Sequence, residues 1–171
     1  MPTAIYALGH STRTLDDFIA ILAAHGITIV ADIRTIPKSR HNPQFNEESL
    51  KQALEDRSIR YVHFTELGGL RKARKDSINT GWQNASFRGF ADYMQTREFA
   101  SAIRRLMRLG KTGRTAIMCA EGNPFRCHRS LVADALTVRK VRVLHISSKT
   151  SAREHTLTRF AKVEGTKITY P

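Results

Sequence analysis

Residues 119–129 read CAEGNPFRCHR and contain both cysteines of the chain, together with one carboxylate, one imidazole and two guanidinium groups. The preceding run 115–118, TAIM, has the apolar character of a buried strand, and the following run 130–136, SLVADAL, has the pattern of a helix. Parallel α/β sheets carry their functional groups at such a position, in the loop between a strand and the next helix. This segment therefore predicts a parallel α/β fold with a candidate site in its loop.

Apolar runs on both sides of this segment predict four more strands. They occupy residues 4–8, 27–33, 59–64 and 141–146. Between them, apolar residues at helical spacing predict helices, of which the first is capped by Thr14 and ends at Gly26. Strands that alternate with helices along the chain pair in parallel. We therefore expect an α/β domain of three layers, with a mostly parallel sheet of about five strands flanked by helices.

The chain length of 171 residues corresponds to a single domain, which we expect to cover residues 1–171. Its core is expected over about residues 4–148. A capping-box pattern at Ser151 and Glu154 predicts a short helix. Residues 149–171 are therefore expected to form a C-terminal helix and tail.

The chain carries a large excess of positive charge. Its 28 lysine and arginine residues outnumber 15 acidic residues, which gives a formal net charge of +13. Such an excess attracts polyanions and accelerates association with them. A nucleic acid or a nucleotide is therefore a candidate partner, although net charge carries no information about fold or specificity.

Hydrophobicity and cysteine content indicate the compartment that we expect. No apolar run approaches the roughly 20 residues that span a membrane, and the first residues show no basic segment followed by an apolar one. We therefore predict no membrane association and a cytoplasmic location, where thiols stay reduced. Two cysteines do not form a disulfide framework.

Polar side chains follow the end of each predicted strand. They are His10 and Ser11, Asp32 and Arg34, His63 and Glu66, Cys119 and Glu121, and His145. Because the carboxyl ends of parallel strands lie at one edge of the sheet, we expect these side chains to converge there. This expectation follows from topology and does not depend on a single motif.

The residues from Arg126 to Arg129 lie at the predicted start of a helix. The free N–H groups and the positive dipole end of a helix favour an anion there. They also lower the pKa of a cysteine, as do neighbouring cationic side chains. Cys127 is therefore the expected thiolate, whereas Cys119 ends an apolar strand and is interpreted as a small core residue. An interpretation of both cysteines as core residues stays open.

Three known motif types come close to residues 119–129 without matching them. Cysteine phosphatases and rhodaneses surround a thiolate with backbone amides, but the spacing from Cys119 to Arg126 is one residue longer than the phosphatase pattern. The letters CAE are similar to the zinc ligand and general acid of cytidine deaminases, which need a further pair of cysteines downstream. The spacing of the two cysteines and His128 is not usual for zinc. We predict no bound metal and no cofactor.

Several short motifs have the order and spacing of a known family over nearly the full length. They are residues 9–12 (GHST), 32–34 (DIR), 37–39 (PKS), 67–69 (LGG), 90–94 (FADYM), 118–121 (MCAE) and 127–129 (CHR). On these motifs the chain resembles a widespread bacterial family, the domain of unknown function 488. The resemblance implies one α/β domain and shared motif positions at His10, Asp32, Arg34, Glu121, Cys127, His128 and Arg129. It implies no particular reaction.

Our leading hypothesis is an enzyme, or a former enzyme, that binds a phosphate-bearing substrate at the carboxyl edge of the sheet, either a nucleotide or a nucleic acid. The candidate catalytic residues are His10, Asp32, Glu121, Cys127 and His128. The candidate anion-binding residues are Ser11, Arg34, Arg126 and Arg129. Histidine is suited to general acid–base catalysis, and guanidinium groups match the geometry of phosphate.

Two other functions stay open. A non-catalytic nucleic-acid-binding module would use a basic loop and the basic face of a helix. Its candidate residues are Arg71, Lys72, Arg74 and Lys75, with Arg104, Arg105 and Arg108 on the helix. A thiol redox or sulfur-transfer protein would use Cys119 and Cys127.

Overall fold

Six strands form the central sheet of the computed structural model, which describes residues 3–171. They are β1 (Ala4–Gly9), β2 (Ile29–Asp32), β3 (Arg60–His63), β4 (Thr115–Cys119), β5 (Arg142–Ser148) and β6 (Ser151–Glu154). Their order across the sheet is β3-β2-β4-β1-β5-β6, and every pairing is parallel except that of β5 with β6. The predicted α/β fold with a mostly parallel sheet is confirmed, with one antiparallel strand added at the edge.

Five α-helices in the described residues cover the two faces of the sheet. They are α1 (Leu15–Ala24), α2 (Glu47–Glu55), α3 (Ala85–Tyr93), α4 (Arg97–Gly110) and α5 (Arg129–Thr137). One face buries α1 and α2 in a cluster that includes Phe18 and Leu50. The other face buries α3, α4 and α5 in a cluster that includes Phe90, Ile103 and Leu131. Within residues 3–171, no helix is long and apolar enough to cross a membrane.

The first helix shows how local sequence sets these boundaries. The Thr14 hydroxyl accepts a hydrogen bond from the Asp17 N–H at 3.1 Å, which satisfies one of the free N–H groups at the start of α1. Phe18 and Leu22, one turn apart, are fully buried against the sheet. Gly26 follows α1 with φ of +68°, a left-handed conformation that favours glycine. The predicted start and end of this helix are therefore correct.

Residues 149–171, all of which are described, contain strands and no α-helix, so the helix predicted after Ser151 is wrong. Residues Ser151–Glu154 form β6, which a two-residue turn directs back along β5. The rest of the segment forms a hairpin of β7 (Lys162–Glu164) and β8 (Lys167–Thr169). The edge of β5 offers unpaired backbone groups, and the hydrogen bonds made there outweigh the local capping pattern.

Asp134, in α5, attaches this C-terminal segment to the domain. Its side chain is fully buried, and it accepts hydrogen bonds from three side chains of the segment. The donors are the Thr158 hydroxyl at 2.6 Å, the Tyr170 hydroxyl at 2.7 Å and the His155 imidazole Nε2 at 2.8 Å. Hydrogen bonds to a buried carboxylate are among the stronger ones in proteins, so this cluster stabilises the tail.

We expect the substitution Tyr170→Phe to lower the free energy of unfolding by about 2 kcal/mol, because it removes one donor from a buried carboxylate. Urea denaturation measures this change. The matched control is Tyr6→Phe, since the hydroxyl of the half-buried Tyr6 has no hydrogen bond within residues 3–171. Equal stability of the two variants would contradict the role of Asp134 as an anchor.

Candidate functional site

A pocket with a volume of about 340 Å³ opens at the carboxyl edge of the sheet, between the ends of β2 and β4. These strands are neighbours, but the chain leaves β2 for α2 on one face and leaves β4 for α5 on the other. Adjacent strands whose connections leave toward opposite faces form a crevice at their carboxyl ends. The pocket is lined by residues from the segments 34–38, 69–70, 86–87 and 119–128.

Two thiols lie side by side in the wall of this pocket. Cys119 ends β4 and Cys127 lies just before α5; both are free, and they are 2% and 6% exposed. Cys127 Sγ donates a hydrogen bond to Cys119 Sγ, and the two sulfur atoms are 2.8 Å apart. The short 3₁₀ turn at Pro124–Arg126 brings the chain back so that the two residues meet.

Arg129 lies behind the thiols and is only 1% exposed. Its Nη1 donates to Cys119 Sγ and to the Glu121 carbonyl, both at 2.9 Å, and its Nη2 donates to the Gly122 carbonyl at 3.2 Å. No carboxylate of residues 3–171 forms an ion pair with it. We expected Arg129 to bind a substrate anion, but its guanidinium does not line the pocket and contacts the sulfur of Cys119.

The two thiols differ in pKa. Burial raises the pKa of Cys119, but the hydrogen bond from Cys127 and the charge of Arg129 outweigh it, so the pKa lies below its ordinary value. The hydrogen bond that Cys127 donates to Cys119, together with burial, raises the pKa of Cys127. We expected the thiolate at Cys127 and a core role for Cys119. The order is reversed because Cys119 Sγ accepts the hydrogen bond from Cys127 and also contacts the guanidinium.

His128 is positioned to accept a hydrogen bond from Cys127. Its Nε2 donates a hydrogen bond to the Ile33 carbonyl at 2.9 Å, so Nδ1 is the acceptor nitrogen, 3.5 Å from Cys127 Sγ. Burial lowers the pKa of His128 to about 4, and the imidazole is therefore neutral at pH 7. Gly69 packs against the ring, where a Cβ atom would lie 2.6 Å from Nδ1. Only glycine permits this contact.

Arg34 is held in the pocket wall by Asp32. The Nε and Nη2 atoms of Arg34 donate to the Asp32 carboxylate at 2.9 and 2.7 Å, and the Tyr61 hydroxyl donates to the same carboxylate at 2.5 Å. Arg34 is 6% exposed, and its Nη1 is buried and has no hydrogen-bond partner within the described residues. Asp32, a predicted catalytic residue, is fully buried outside the pocket lining and positions Arg34.

Exposed charged and apolar side chains surround the mouth of the pocket. Lys38, Glu121 and Arg126 are exposed lining residues, and the Glu121 carboxylate accepts a hydrogen bond from the Asn123 N–H of its own loop. Large apolar side chains at or beside the mouth are Ile36, Leu70 and Phe125, which are 61%, 69% and 73% exposed. The mouth therefore combines positive charge with exposed apolar surface.

His10 and Ser11, both predicted site residues, do not line the pocket. Their N–H groups donate to the carbonyls of Cys119 and Ala120, both at 2.9 Å. The His10 ring is buried and stacks on Phe45 with the ring centroids 4.3 Å apart, and burial lowers its pKa. These two residues therefore position the loop that carries the thiols.

The predicted nucleic-acid-binding residues lie outside the pocket. Arg71 stacks over the Tyr93 ring at 3.7 Å and donates to the Gly68 carbonyl, and Arg74 forms an ion pair with Asp76. Lys72 and Lys75 are exposed. On the basic face of α4, Arg105 pairs with Glu66 at 2.9 Å. Part of this positive charge is therefore used in contacts within the domain.

The structure thus joins five of the predicted site residues in one pocket. They are Arg34, Glu121, Arg126, Cys127 and His128. Sequence reasoning missed the positions of Lys38 and Cys119 in the pocket lining. The available signal for Cys119 was its position as the last residue of a buried strand, with arginine ten residues later at the start of the next helix. No group of three or more His, Cys, Asp or Glu side chains in residues 3–171 is arranged to hold a metal ion.

A family model described as "Domain of unknown function DUF488" matches residues 14–136, which include β2, β4 and both thiols. Neither a curated protein nor a solved structure matches the chain.

Proposed function

The chain belongs to the family of the domain of unknown function DUF488, and from the geometry of its pocket we propose that it is an enzyme whose nucleophile is the Cys119 thiolate. Its substrate carries an anionic group, for which phosphate is the candidate that the positive charge favours. The anionic group binds at Arg34, and Lys38 and Arg126 attract it to the mouth. Arg129 stabilises the thiolate, and His128 exchanges a proton with Cys127.

The contact between Arg129 and Cys119 carries this proposal. A buried charge is costly unless an opposite charge is paired with it. The guanidinium of Arg129 has no carboxylate partner within residues 3–171, and the group at 2.9 Å that can become an anion is the Cys119 thiol. Thiolate is the nucleophilic form of cysteine. The buried cation therefore supports a reactive Cys119 at the pocket wall.

The free nitrogen of Arg34 supports an anionic substrate. Two of its nitrogens are occupied by Asp32, and the third, Nη1, is buried without a partner in the described part of the chain. An unsatisfied buried donor costs about 1–3 kcal/mol, more for a charged group. A carboxylate or phosphoryl oxygen bound at Nη1 removes this cost, because a guanidinium matches the geometry of both groups.

The loop between the thiols does not support the phosphate cradle of cysteine phosphatases. The N–H groups of Asn123, Phe125 and Arg126 donate to oxygen atoms of the loop itself. The Glu121 carbonyl faces Cys119 Sγ at 3.5 Å, where a cradle would present an amide. These contacts do not favour transfer of a phosphoryl group to Cys119 within a cradle of loop amides. They favour a reaction of Cys119 Sγ with another part of a substrate whose anionic group is bound nearby.

The test is the alkylation of Cys119 in the wild-type protein by iodoacetate and by iodoacetamide, measured by mass spectrometry of the tryptic peptide 115–126, which contains Cys119 but not Cys127. The pKa of an ordinary thiol is ~8.5. Because the pKa of Cys119 is lowered, we expect its alkylation rate to reach half the maximum below that pH. Anionic iodoacetate should react faster than neutral iodoacetamide of similar size. The double substitution of Lys38 and Arg126 to Gln should lower that preference about three- to ten-fold.

The matched control for this experiment is the double substitution of Lys72 and Lys75 to Gln, which removes the same charge from exposed positions outside the pocket. It should leave the preference for iodoacetate unchanged. If Cys119 reacts with the pH dependence of an ordinary thiol, the proposed nucleophile is refuted. If the preference for iodoacetate is the same in both double variants, the proposed anion site is refuted.

The same control variant tests the nucleic-acid-binding alternative, which the net charge of +13 favours. That function predicts binding of a short oligonucleotide with an affinity that falls steeply as salt increases. Substitution of Lys72 and Lys75 would then weaken this binding, whereas substitution of the cysteines would leave it unchanged. Unreactive cysteines together with such binding would indicate that the protein is a nucleic-acid-binding module and not an enzyme.

A further inference from the structure

We propose that Cys127 resolves the covalent intermediate on Cys119, so that the enzyme exchanges a dithiol for a disulfide and its substrate is an anionic disulfide of low molecular weight. This inference rests on the proposed function of Cys119 as the nucleophile. It identifies the reacting group of the substrate as sulfur.

The positions of the two sulfur atoms support an internal disulfide. Cys119 Sγ and Cys127 Sγ are 2.8 Å apart and line the same pocket. A disulfide bond is about 2.05 Å long, so the atoms need to approach by less than ~1 Å to form it. The second thiol therefore lies within reach of any group attached to the first.

The groups around Cys127 support its role in the second step. While Cys119 is a thiolate, the hydrogen bond to it holds the proton on Cys127. Once Cys119 is joined to the substrate, its sulfur carries no charge, and the hydrogen bond no longer keeps the proton on Cys127. His128 Nδ1, at 3.5 Å from Cys127 Sγ, then accepts the proton. The Arg129 N–H, at the start of α5, donates to Cys127 Sγ at 3.4 Å and stabilises the new thiolate.

The exchange balances in atoms and electrons. The Cys119 thiolate attacks one sulfur of a disulfide RSSR, which forms a mixed disulfide and releases RS⁻. Cys127 attacks Cys119 Sγ and passes its proton through His128 to the departing RS⁻, so the mixed disulfide breaks and the second half of the substrate leaves as RSH. The two cysteines are oxidised and RSSR is reduced to two thiols. A low-molecular-weight thiol reverses the same steps and restores both cysteines.

The pocket supports a small anionic disulfide rather than a protein disulfide. Its volume of about 340 Å³ lies at the low end for small-molecule sites. Arg34, Lys38 and Arg126 offer positive charge to the anionic group. Ile36 and Leu70 offer exposed apolar surface to the body of the molecule at the same mouth.

The test uses 5,5′-dithiobis(2-nitrobenzoate), an anionic aromatic disulfide whose released thiolate is coloured. One equivalent of this reagent should release two equivalents of coloured thiolate from the wild-type protein. The protein product should be two hydrogens lighter by mass, with Cys119 joined to Cys127. The Cys127→Ser variant should release one equivalent and retain the other half of the reagent on Cys119. The Cys119→Ser variant should react at least ten-fold more slowly than wild type.

The outcomes distinguish a failure of the role of Cys127 from a failure of the proposed nucleophile Cys119. A wild-type protein that reacts fast at Cys119 but keeps the mixed disulfide would overturn the role of Cys127 and leave Cys119 as the nucleophile. A wild-type protein whose Cys119 does not react would overturn both. The wild-type product mass decides between them even if either serine variant does not fold. A neutral aromatic disulfide that reacts as fast as the anionic one would overturn the anionic substrate class.

Discussion

Arg129→Met is expected to slow the alkylation of Cys119 by neutral iodoacetamide at pH 7 by at least about ten-fold, because each unit of rise in the pKa of a thiol lowers its thiolate fraction up to ten-fold. The substitution removes the only cation that contacts Cys119 Sγ in residues 3–171 and leaves a side chain of similar length. Alkylation rates are measured against pH in the Cys127→Ser background, with circular dichroism to show that the variant is folded. The profile should shift to higher pH.

Two variants make this result specific. Arg126→Met removes a guanidinium three residues away, in the loop before α5, but from an exposed side chain, so the rate with a neutral reagent should change little. Arg129→Lys keeps a charge without the planar fork that also reaches the Glu121 and Gly122 carbonyls, so its profile should lie between those of wild type and Arg129→Met. A folded Arg129→Met with an unchanged pH profile would show that the guanidinium does not activate Cys119.

Asp32→Ala is expected to lower the free energy of unfolding by about 3–5 kcal/mol, because it leaves the buried guanidinium of Arg34 without its partner. Asp32 is fully buried and Arg34 is 6% exposed, so water does not replace the lost carboxylate. The Tyr61 hydroxyl also loses its acceptor. Urea denaturation with a constant m-value measures the change.

The controls for Asp32→Ala are the loss of an exposed ion pair and the removal of both buried charges. Asp76→Ala breaks the ion pair with Arg74, in which both side chains are mostly exposed, and its effect should be much smaller. The double substitution of Asp32 to Ala and Arg34 to Met removes both buried charges and should recover most of the lost stability. If Asp32→Ala costs no more than Asp76→Ala, the buried pair does not stabilise the pocket wall.

The strands at the centre of the sheet were predictable because they are buried on both faces. The runs 4–8 and 115–118 correspond to β1 (Ala4–Gly9) and β4 (Thr115–Cys119), each one residue longer than predicted. An apolar run of this length between turn signals has few alternatives to a central strand. The position of the site after such strands followed from the same argument.

The helix after Ser151 was predicted incorrectly because these residues pair with the edge of β5, which their own local pattern does not indicate. Ser151 and Glu154 match a local capping pattern, yet both pair with β5 in the structure. The segment is then attached through Asp134, which accepts hydrogen bonds from Thr158 and Tyr170. Local sequence contains no information about which acceptor a remote tyrosine will reach.

Three features were predictable without the structure: the class of fold, the edge of the sheet that carries the candidate site, and the segment 119–129 with both thiols. These features depend on periodicity and on the geometry common to all parallel sheets. Three others became visible in the folded domain alone: Cys119 rather than Cys127 has the lowered pKa, Arg129 lies behind the thiols, and Asp32 binds Arg34. Those properties depend on burial and on contacts of a few ångströms between segments, and both arise only when the chain is packed.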